Sequence, residues 1–299
     1  MNKVFPVILI TISAALWGVI AIFVRGLADI GLSPMEIVTI RVVTAAILLG
    51  LIGLVKYRSQ MLIRIKDIRL FIGTGILSIV FFNWCYFTAV GSMNLSLAVI
   101  LLYTSPAFVA VLSFLFLKEK ITRVKAASVI GTILGCVLIA GVGQSDSASL
   151  TAIGIFTGLG AGFGYALYSI FGKFALAKYS PFTVTFYTFL IAALTLFPVT
   201  GLWKKGTELL SGDILFYGVG LGLFPTVIAF LLYTKGLEKV ETSQAAVIAT
   251  VEPIVATILS VFLYKESFGL IQAIGSLIIL LSVTIINIPI TKKASIEFD

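Results

Sequence analysis

The chain has 299 residues, of which 60% are hydrophobic and only 11% are charged, and its net charge is +8. Soluble domains carry about 25% charged residues, so a soluble fold of this size could not solvate its surface. The composition therefore excludes a soluble enzyme and predicts an all-α membrane protein.

Apolar segments of about 20 residues are long enough to cross a bilayer as helices. Ten such segments follow one another: 4–24, 34–55, 68–90, 94–117, 124–142, 151–173, 182–202, 214–234, 243–264 and 269–290. The connections between them are short, and none could hold a soluble catalytic domain. The sequence predicts a bundle of ten transmembrane helices.

The basic residues predict the orientation of this bundle. Sixteen lysines and arginines fall on one set of segment ends and four on the other, and only Arg41 lies within a span. Because cytoplasmic loops carry the excess of Lys and Arg, both termini are predicted to be cytoplasmic. Because the basic residues lie at the segment ends, the net positive charge is explained by membrane orientation, and no nucleic-acid partner is expected.

One stretch of the sequence occurs twice. Residues 96–119 and 243–266 align without a gap at an offset of 147, and each copy is interrupted by proline and ends in Lys-Glu. The identical pairs are Ser96/Ser243, Ala98/Ala245, Pro106/Pro253, Leu112/Leu259, Ser113/Ser260, Lys118/Lys265 and Glu119/Glu266. Pro34/Pro181 and Tyr86/Tyr233 keep this offset, and Trp17/Tyr165 match at 148.

The repeat predicts two five-helix halves, 1–147 and 148–299. An odd number of spans in each half forces the halves into opposite orientations. Inverted repeats are typical of secondary transporters, whose substrate site lies near the bilayer midplane between the halves. Duplication within a purely structural membrane protein is the alternative.

Glu252 is the first candidate for a functional side chain. It lies about nine residues into its span, which at 1.5 Å per residue is about 14 Å deep. A carboxylate at that depth costs roughly 2.5–3.5 kcal/mol on insertion scales. It could face a substrate ammonium or couple transport to protons, or it could have a structural role beside Pro253 or with an arginine.

Arg41 lies at a similar depth, about 12 Å into the second span. It could bind a substrate carboxylate with two parallel hydrogen bonds. The structural alternatives are pairing with Glu252 and anchoring the packing of its own half, and a structural role of one of these kinds is favoured over substrate binding.

Aromatic and polar residues inside the spans complete the predicted substrate site. Tyrosine and tryptophan commonly form belts at the membrane interface, yet several of these lie well inside their spans. The predicted substrate-binding residues are Trp17, Asn83, Tyr86, Tyr103, Ser105, Tyr165, Tyr168, Tyr233 and Glu252. An apolar cavity with aromatic walls suits a hydrophobic or aromatic amino acid, or a quaternary cation.

Other chemistries lack the residues they need. The sequence has no histidine, no phosphate-binding loop and no metal-ligand spacing, and Cys85 and Cys136 lie inside apolar runs. We therefore expect no catalytic residues, no metal, no cofactor and no enzyme activity. The lack of a dense Arg/Lys cluster at midplane argues against a phosphorylated substrate.

This organisation resembles the ten-span, EamA-type transporters of the drug/metabolite transporter superfamily. The resemblance is carried by Ala14-Ala15-Leu16-Trp17-Gly18, Ser105-Pro106 with Lys118-Glu119, Val251-Glu252-Pro253 with Lys265-Glu266, and Gly131 and Gly275. It covers nearly the whole chain and implies a central cavity lined by spans one, three, four, six, eight and nine.

The resemblance implies transport of small metabolites across the inner membrane. Amino acids or related compounds are the expected substrates, and export is slightly favoured over import. A nucleotide-sugar or sugar-phosphate carrier and a non-transporting membrane enzyme are the alternatives. The expected partners are a small-molecule substrate and the lipid bilayer, with proton coupling as an option and either a monomer or a homodimer.

Overall fold

The structure, a computed structural model, describes residues 4–140, 151–265 and 269–288. Its helices are α1 Val4–Asp29, α2 Pro34–Lys56, α3 Ile65–Ser92, α4 Leu95–Leu117, α5 Arg123–Ile139, α6 Ala152–Leu176, α7 Pro181–Thr200, α8 Gly212–Leu237, α9 Thr242–Tyr264 and α10 Leu270–Asn287. Nine of these described helices are long and apolar enough to cross a membrane. The remaining one, α5, has 17 residues and occupies the predicted fifth span.

The predicted fold class is confirmed as an all-α, multi-pass membrane protein. The proposed division at 147/148 and the Glu266 position fall outside the described residues. Cys85 and Cys136 are both buried and unbonded, in agreement with their place in apolar runs.

The two halves are interleaved rather than laid side by side. Helix α1 packs on α8 and α9, and α6 packs in the same way on α3 and α4. Helices α2 and α7 pack on each other, as do α5 and α10. Each of these contacts joins one half to the other, so the core lies at the interface between the repeats.

Helices α4 and α9 are each broken near the middle. The first breaks between Leu95–Leu102 and Ser105–Leu117, and the second between Thr242–Ala249 and Val251–Tyr264. Proline has no N–H to continue the helical ladder and clashes with the carbonyl four residues earlier, so Pro106 and Pro253 account for the breaks. At both, a threonine hydroxyl donates to the carbonyl three residues before it.

Helices α3 and α8 contain wider, π-helical turns at Gly73–Val80 and Leu223–Ile228. The two segments overlap when one is shifted by the repeat offset of 147. Such turns occur frequently at functional sites because they rotate side chains and release backbone groups from the regular ladder. Their paired occurrence extends the repeat from the sequence into the backbone.

Small residues let helices of opposite halves approach closely. A Cβ added at Gly162 of α6 would lie 2.9 Å from the Leu101 carbonyl oxygen of α4. A Cβ added at Gly18 of α1 would lie 2.9 Å from the Glu252 carbonyl oxygen of α9. Glycine therefore allows close helix packing both in α6 and in α1.

Candidate functional site at the centre of the bundle

A cavity of about 80 Å³, measured as the space that the centre of a water molecule can reach, lies where the two halves meet. Helices α1, α2, α3, α6, α8 and α9 supply its walls, through Trp17, Ile20, Arg41, Ser78, Ile79, Phe82, Tyr165, Tyr168, Ser169, Phe230, Tyr233 and Glu252. Six of these twelve residues are aromatic, one is positively charged and one is negatively charged.

Arg41 projects from α2 into this cavity with only 9% of its surface exposed. Its Nε donates a hydrogen bond of 2.8 Å to the Thr226 hydroxyl of α8. The centre of its guanidinium lies 5.8 Å from the centroid of the Phe230 ring, within the range of a cation–π contact. Within the described chain, its terminal Nη groups have no hydrogen-bond acceptor.

Glu252 enters the cavity from the break of α9, immediately before Pro253. Across the described ranges, no hydrogen-bond donor reaches its carboxylate. Its side chain therefore does not satisfy the backbone donors beside Pro253. An ionised carboxylate removed from water is costly unless it is paired, so this acid needs water or a ligand.

Arg41 and Glu252 line the same cavity but do not form an ion pair within 4.0 Å, as judged over the described residues. Opposite charges attract strongly in a medium of low dielectric constant, so each lowers the cost of burying the other. Because they remain apart, both can contact a third molecule placed between them.

The tyrosine hydroxyls around the cavity differ in how far they are already hydrogen-bonded. Tyr168 shares a bond of 2.7 Å with Thr234, and Tyr233 shares one of 2.7 Å with Ser169. The Tyr165 hydroxyl has no such partner within the part of the chain that the structure describes. Tyr165 therefore retains a donor and an acceptor for a ligand.

The Trp17 ring of the first half packs against aromatic rings of the second half. Its ring centroid lies 5.1 Å from those of Phe230 and Tyr233 and 6.2 Å from that of Tyr165, its repeat-related partner. The buried Trp17 Nε1 has no hydrogen-bond acceptor within the described ranges. These rings form an apolar wall that suits a hydrophobic group.

A smaller adjoining cavity accounts for two further predicted residues. Tyr103 and Ser105, at the break of α4, line it together with Tyr165 and Glu252. Tyr165 and Glu252 therefore stand between the two spaces. The predicted site is thus divided into a larger and a smaller compartment.

Two predicted substrate-binding residues do not line either cavity. Asn83 is 4% exposed and donates to the Ile79 carbonyl oxygen of its own helix at 2.7 Å. Tyr86 stacks on Phe82, with ring centroids 6.1 Å apart. Trp84, a further aromatic residue of this span, has 53% of its surface exposed on the outside of the bundle.

Sequence reasoning missed several lining residues that the structure brings to the larger cavity. Ser78, Phe82, Ser169 and Phe230 line it directly, and Thr226 contacts Arg41 behind it. Ser78 and Thr226 are 148 residues apart, as are Trp17 and Tyr165. That offset, applied to small polar residues inside the spans, could have identified Ser78 and Thr226.

A second polar cluster lies at one end of the bundle, at the start of α9. Both Glu119 carboxylate oxygens accept hydrogen bonds, from the Thr242 backbone N–H at 2.6 Å and from the Ser243 N–H and hydroxyl at 3.2 and 2.8 Å. Lys125 lies 2.5 Å from Glu241 and 4.0 Å from Glu119. This group ties the first half to the second.

The fold is that of a multi-pass, all-α membrane protein whose two halves meet at a central cavity. A family model described as the EamA-like transporter family matches residues 4–141 and again 152–288. The chain belongs to the EamA-like transporter family, which confirms the resemblance derived from its motifs.

Relatives and a solved structure agree with this assignment. Two proteins of Archaeoglobus fulgidus, each named an uncharacterized transporter, are 27% identical over 284 residues and 30% identical over 259 residues. The first alignment covers 92% of this chain and 94% of the relative, and the second 85% and 89%. A crystal structure with a TM-score of 0.80 and 16% identity covers 94% of this chain and 96% of its own, and it supports the fold.

Proposed function

We propose that this protein is a secondary transporter that moves amino acids or closely related small metabolites by alternating access. The observation that carries the proposal is the pair of unpaired, opposite charges, Arg41 and Glu252, in one aromatic cavity. An amino acid presents a carboxylate and an ammonium group close together, and it matches this pair. Its side chain would lie against the ring wall around Trp17.

The interleaved halves support the alternating-access part of the proposal. In inverted-repeat transporters the halves rock about a fixed site near the midplane. Here three helices of each repeat line the cavity, so relative movement of the halves changes access to it. Export is favoured slightly over import.

Glu252 supports a proton-coupled form of this mechanism. The carboxylate lies in the cavity with no donor from the described residues, so either a substrate ammonium or a proton can neutralise it. Competition between the two for one carboxylate is sufficient to couple their movements. A proton would then be carried in the direction opposite to the substrate.

A ligand screen tests the substrate class. Purified protein is heated in detergent with amino acids, polyamines, quaternary amines and nucleotides, because a ligand stabilises the state that it binds. At 100 times its Kd a ligand adds about 2.7 kcal/mol to the free energy of unfolding. Apolar amino acids are expected to raise the Tm most, and stabilisation by nucleotides alone would overturn the proposal.

A flux assay tests the mechanism. In proteoliposomes, unlabelled amino acid inside the vesicles is expected to accelerate uptake of the labelled amino acid from outside. Saturation and this trans-stimulation distinguish a transporter from a channel. Flux that rises linearly with concentration and ignores the internal amino acid would contradict alternating access.

A further inference from the structure

The Thr226 hydroxyl is held in one orientation by a backbone group that lacks its usual partner. In a regular helix the Leu221 carbonyl would accept from the N–H of residue 225, but that residue is proline and has no N–H. The Thr226 hydroxyl donates to this carbonyl instead, at 2.7 Å. The wider turn of Leu223–Ile228 brings the hydroxyl to it.

This arrangement makes the Thr226 oxygen an acceptor toward Arg41. A threonine hydroxyl has one proton and two acceptor positions. The hydroxyl proton is donated to the Leu221 carbonyl oxygen. Toward Arg41 the hydroxyl oxygen therefore acts as an acceptor, and it accepts from Nε at 2.8 Å. Thr226 is fully buried, and water does not compete for the bond.

The bond decides which part of the guanidinium is left for a ligand. Arginine has five N–H donors in a planar fork, and Thr226 occupies the Nε donor. The two terminal nitrogens, which have no acceptor in the described chain, form the edge that binds a carboxylate with two parallel hydrogen bonds. The same anchor keeps the guanidinium on the α2–α8 side of the cavity, beyond ion-pair distance from Glu252.

We propose that Thr226 is a positioning residue that holds Arg41 ready for the substrate carboxylate and prevents its collapse onto Glu252. The cavity then selects molecules that carry both a carboxylate and an ammonium group over the corresponding amines, which lack the carboxylate. This inference rests on the proposed function and adds the group that fixes its specificity.

The chain supplies a matched control for this inference. Thr188 of α7 is also fully buried, and its hydroxyl bonds the Thr74 hydroxyl of α3 at 2.6 Å. Thr188 is the residue of the second repeat that corresponds to Arg41 in the first, 147 positions later. Thr188→Val removes the same hydroxyl from the same kind of interface without touching an arginine.

The experiment measures selectivity for the carboxylate. Binding of phenylalanine, leucine and methionine is compared with binding of the amines formed by their decarboxylation, in wild type and variants. A bond to a charged group contributes about 1.5–3 kcal/mol, so Thr226→Val is expected to reduce the preference for the acid by roughly 10- to 100-fold. Thr226→Ser, which keeps the hydroxyl, and Thr188→Val are expected to preserve it.

Arg41→Lys provides a second variant in case Thr226→Val does not fold. It keeps the positive charge and Thr226 but loses the planar fork, and the same loss of preference is expected. An unchanged preference in Thr226→Val or Arg41→Lys overturns the inference, and so does an equal loss in Thr188→Val. If wild type prefers the amines, the inference fails while transport of amines stands; if it binds none of the six compounds, the proposed function fails as well.

Discussion

The two repeats share a fold but differ at the positions that carry charge. Arg41 of the first repeat corresponds to Thr188 of the second, and Glu252 of the second corresponds to Ser105 of the first. Each repeat therefore contributes one charge, and its counterpart in the other repeat is a neutral hydroxyl. The two repeats supply corresponding helices around the cavity. Because Arg41 and Glu252 each correspond to a neutral residue in the other repeat, the cavity has one positive and one negative side chain.

The repeats also differ in how their broken helices begin. In the first, Asn94 caps its own helix by accepting from the Ser96 N–H at 2.8 Å. In the second, Glu241 occupies that position and makes no such cap, and Glu119 of the other repeat accepts from Thr242 instead. The start of α4 is therefore capped by a residue of its own half, whereas the start of α9 is capped by a residue of the other half.

The largest expected effect concerns the charged member of the Glu252/Ser105 pair. Glu252→Gln removes the negative charge while keeping nearly the same shape, and it is expected to reduce amino-acid flux in proteoliposomes by roughly 10- to 100-fold, the value of a bond to a charged group. Ser105→Ala, the matched change in the other repeat, is expected to alter flux far less.

This comparison also separates function from folding. Glu252→Gln protein is expected to purify as a folded species with a Tm close to that of wild type, because its carboxylate has no donor from the described residues. Normal flux in Glu252→Gln would remove Glu252 from the mechanism, and equal losses in both variants would show that the asymmetry is not functional.

A smaller effect tests whether the two helix crossings are equivalent. Gly18→Ala and Gly162→Ala each place a Cβ 2.9 Å from a backbone carbonyl oxygen of the opposite half. Overpacking of this kind costs about 1–3 kcal/mol, so both variants should lower the Tm by similar amounts. Thermal unfolding in detergent measures this.

Gly91→Ala is the control for these two variants. Gly91 lies in α3, and an added Cβ would meet nothing within 4 Å. Alanine is favoured over glycine within a helix by up to about 1 kcal/mol, so its Tm should stay the same or rise. A drop in Gly91→Ala as large as the others would mean that the close crossings are not the cause.

The smallest expected effect concerns the cap supplied by Glu119, which lies between α4 and α5, beyond the membrane-spanning segments. Burial by itself would raise the pKa of Glu119, but the hydrogen bonds from Thr242 and Ser243 outweigh it and hold the pKa below its ordinary value of 4.5. The ionised carboxylate therefore stabilises the folded state. This contribution is complete above about pH 4.5 and is lost as the pH falls through the lowered pKa.

Glu119→Gln should remove that pH dependence. A helix cap contributes about 1 kcal/mol, so the variant is expected to unfold at a slightly lower temperature at pH 7, with the difference shrinking below pH 4.5. Asn94→Ala, which removes the internal cap of α4, should cost a similar amount at both pH values. A constant difference for Glu119→Gln across this range would contradict the role of its charge.

The sequence by itself determined the membrane class, the ten spans and the repeat, because the length of each apolar segment and the 147-residue offset can be read from the chain without knowing how its helices pack. It also placed Arg41 and Glu252 near the midplane, since depth follows from counting residues along a helix. Trp17, Tyr165, Tyr168 and Tyr233 were predicted at the site, and the structure places all four around one cavity.

Only the tertiary structure decided which way the side chains at that depth face. Asn83 and Tyr86 have the depth of site residues, yet they line neither cavity, because the rotation of α3 is set by its packing against α6. The anchoring of Arg41 by Thr226 needs α2 and α8 to meet across 185 residues of sequence. The depth of a residue in the membrane follows from its position along its own helix. Whether its side chain points into the cavity, and which residues it hydrogen-bonds, depend on how the helices of both halves pack together.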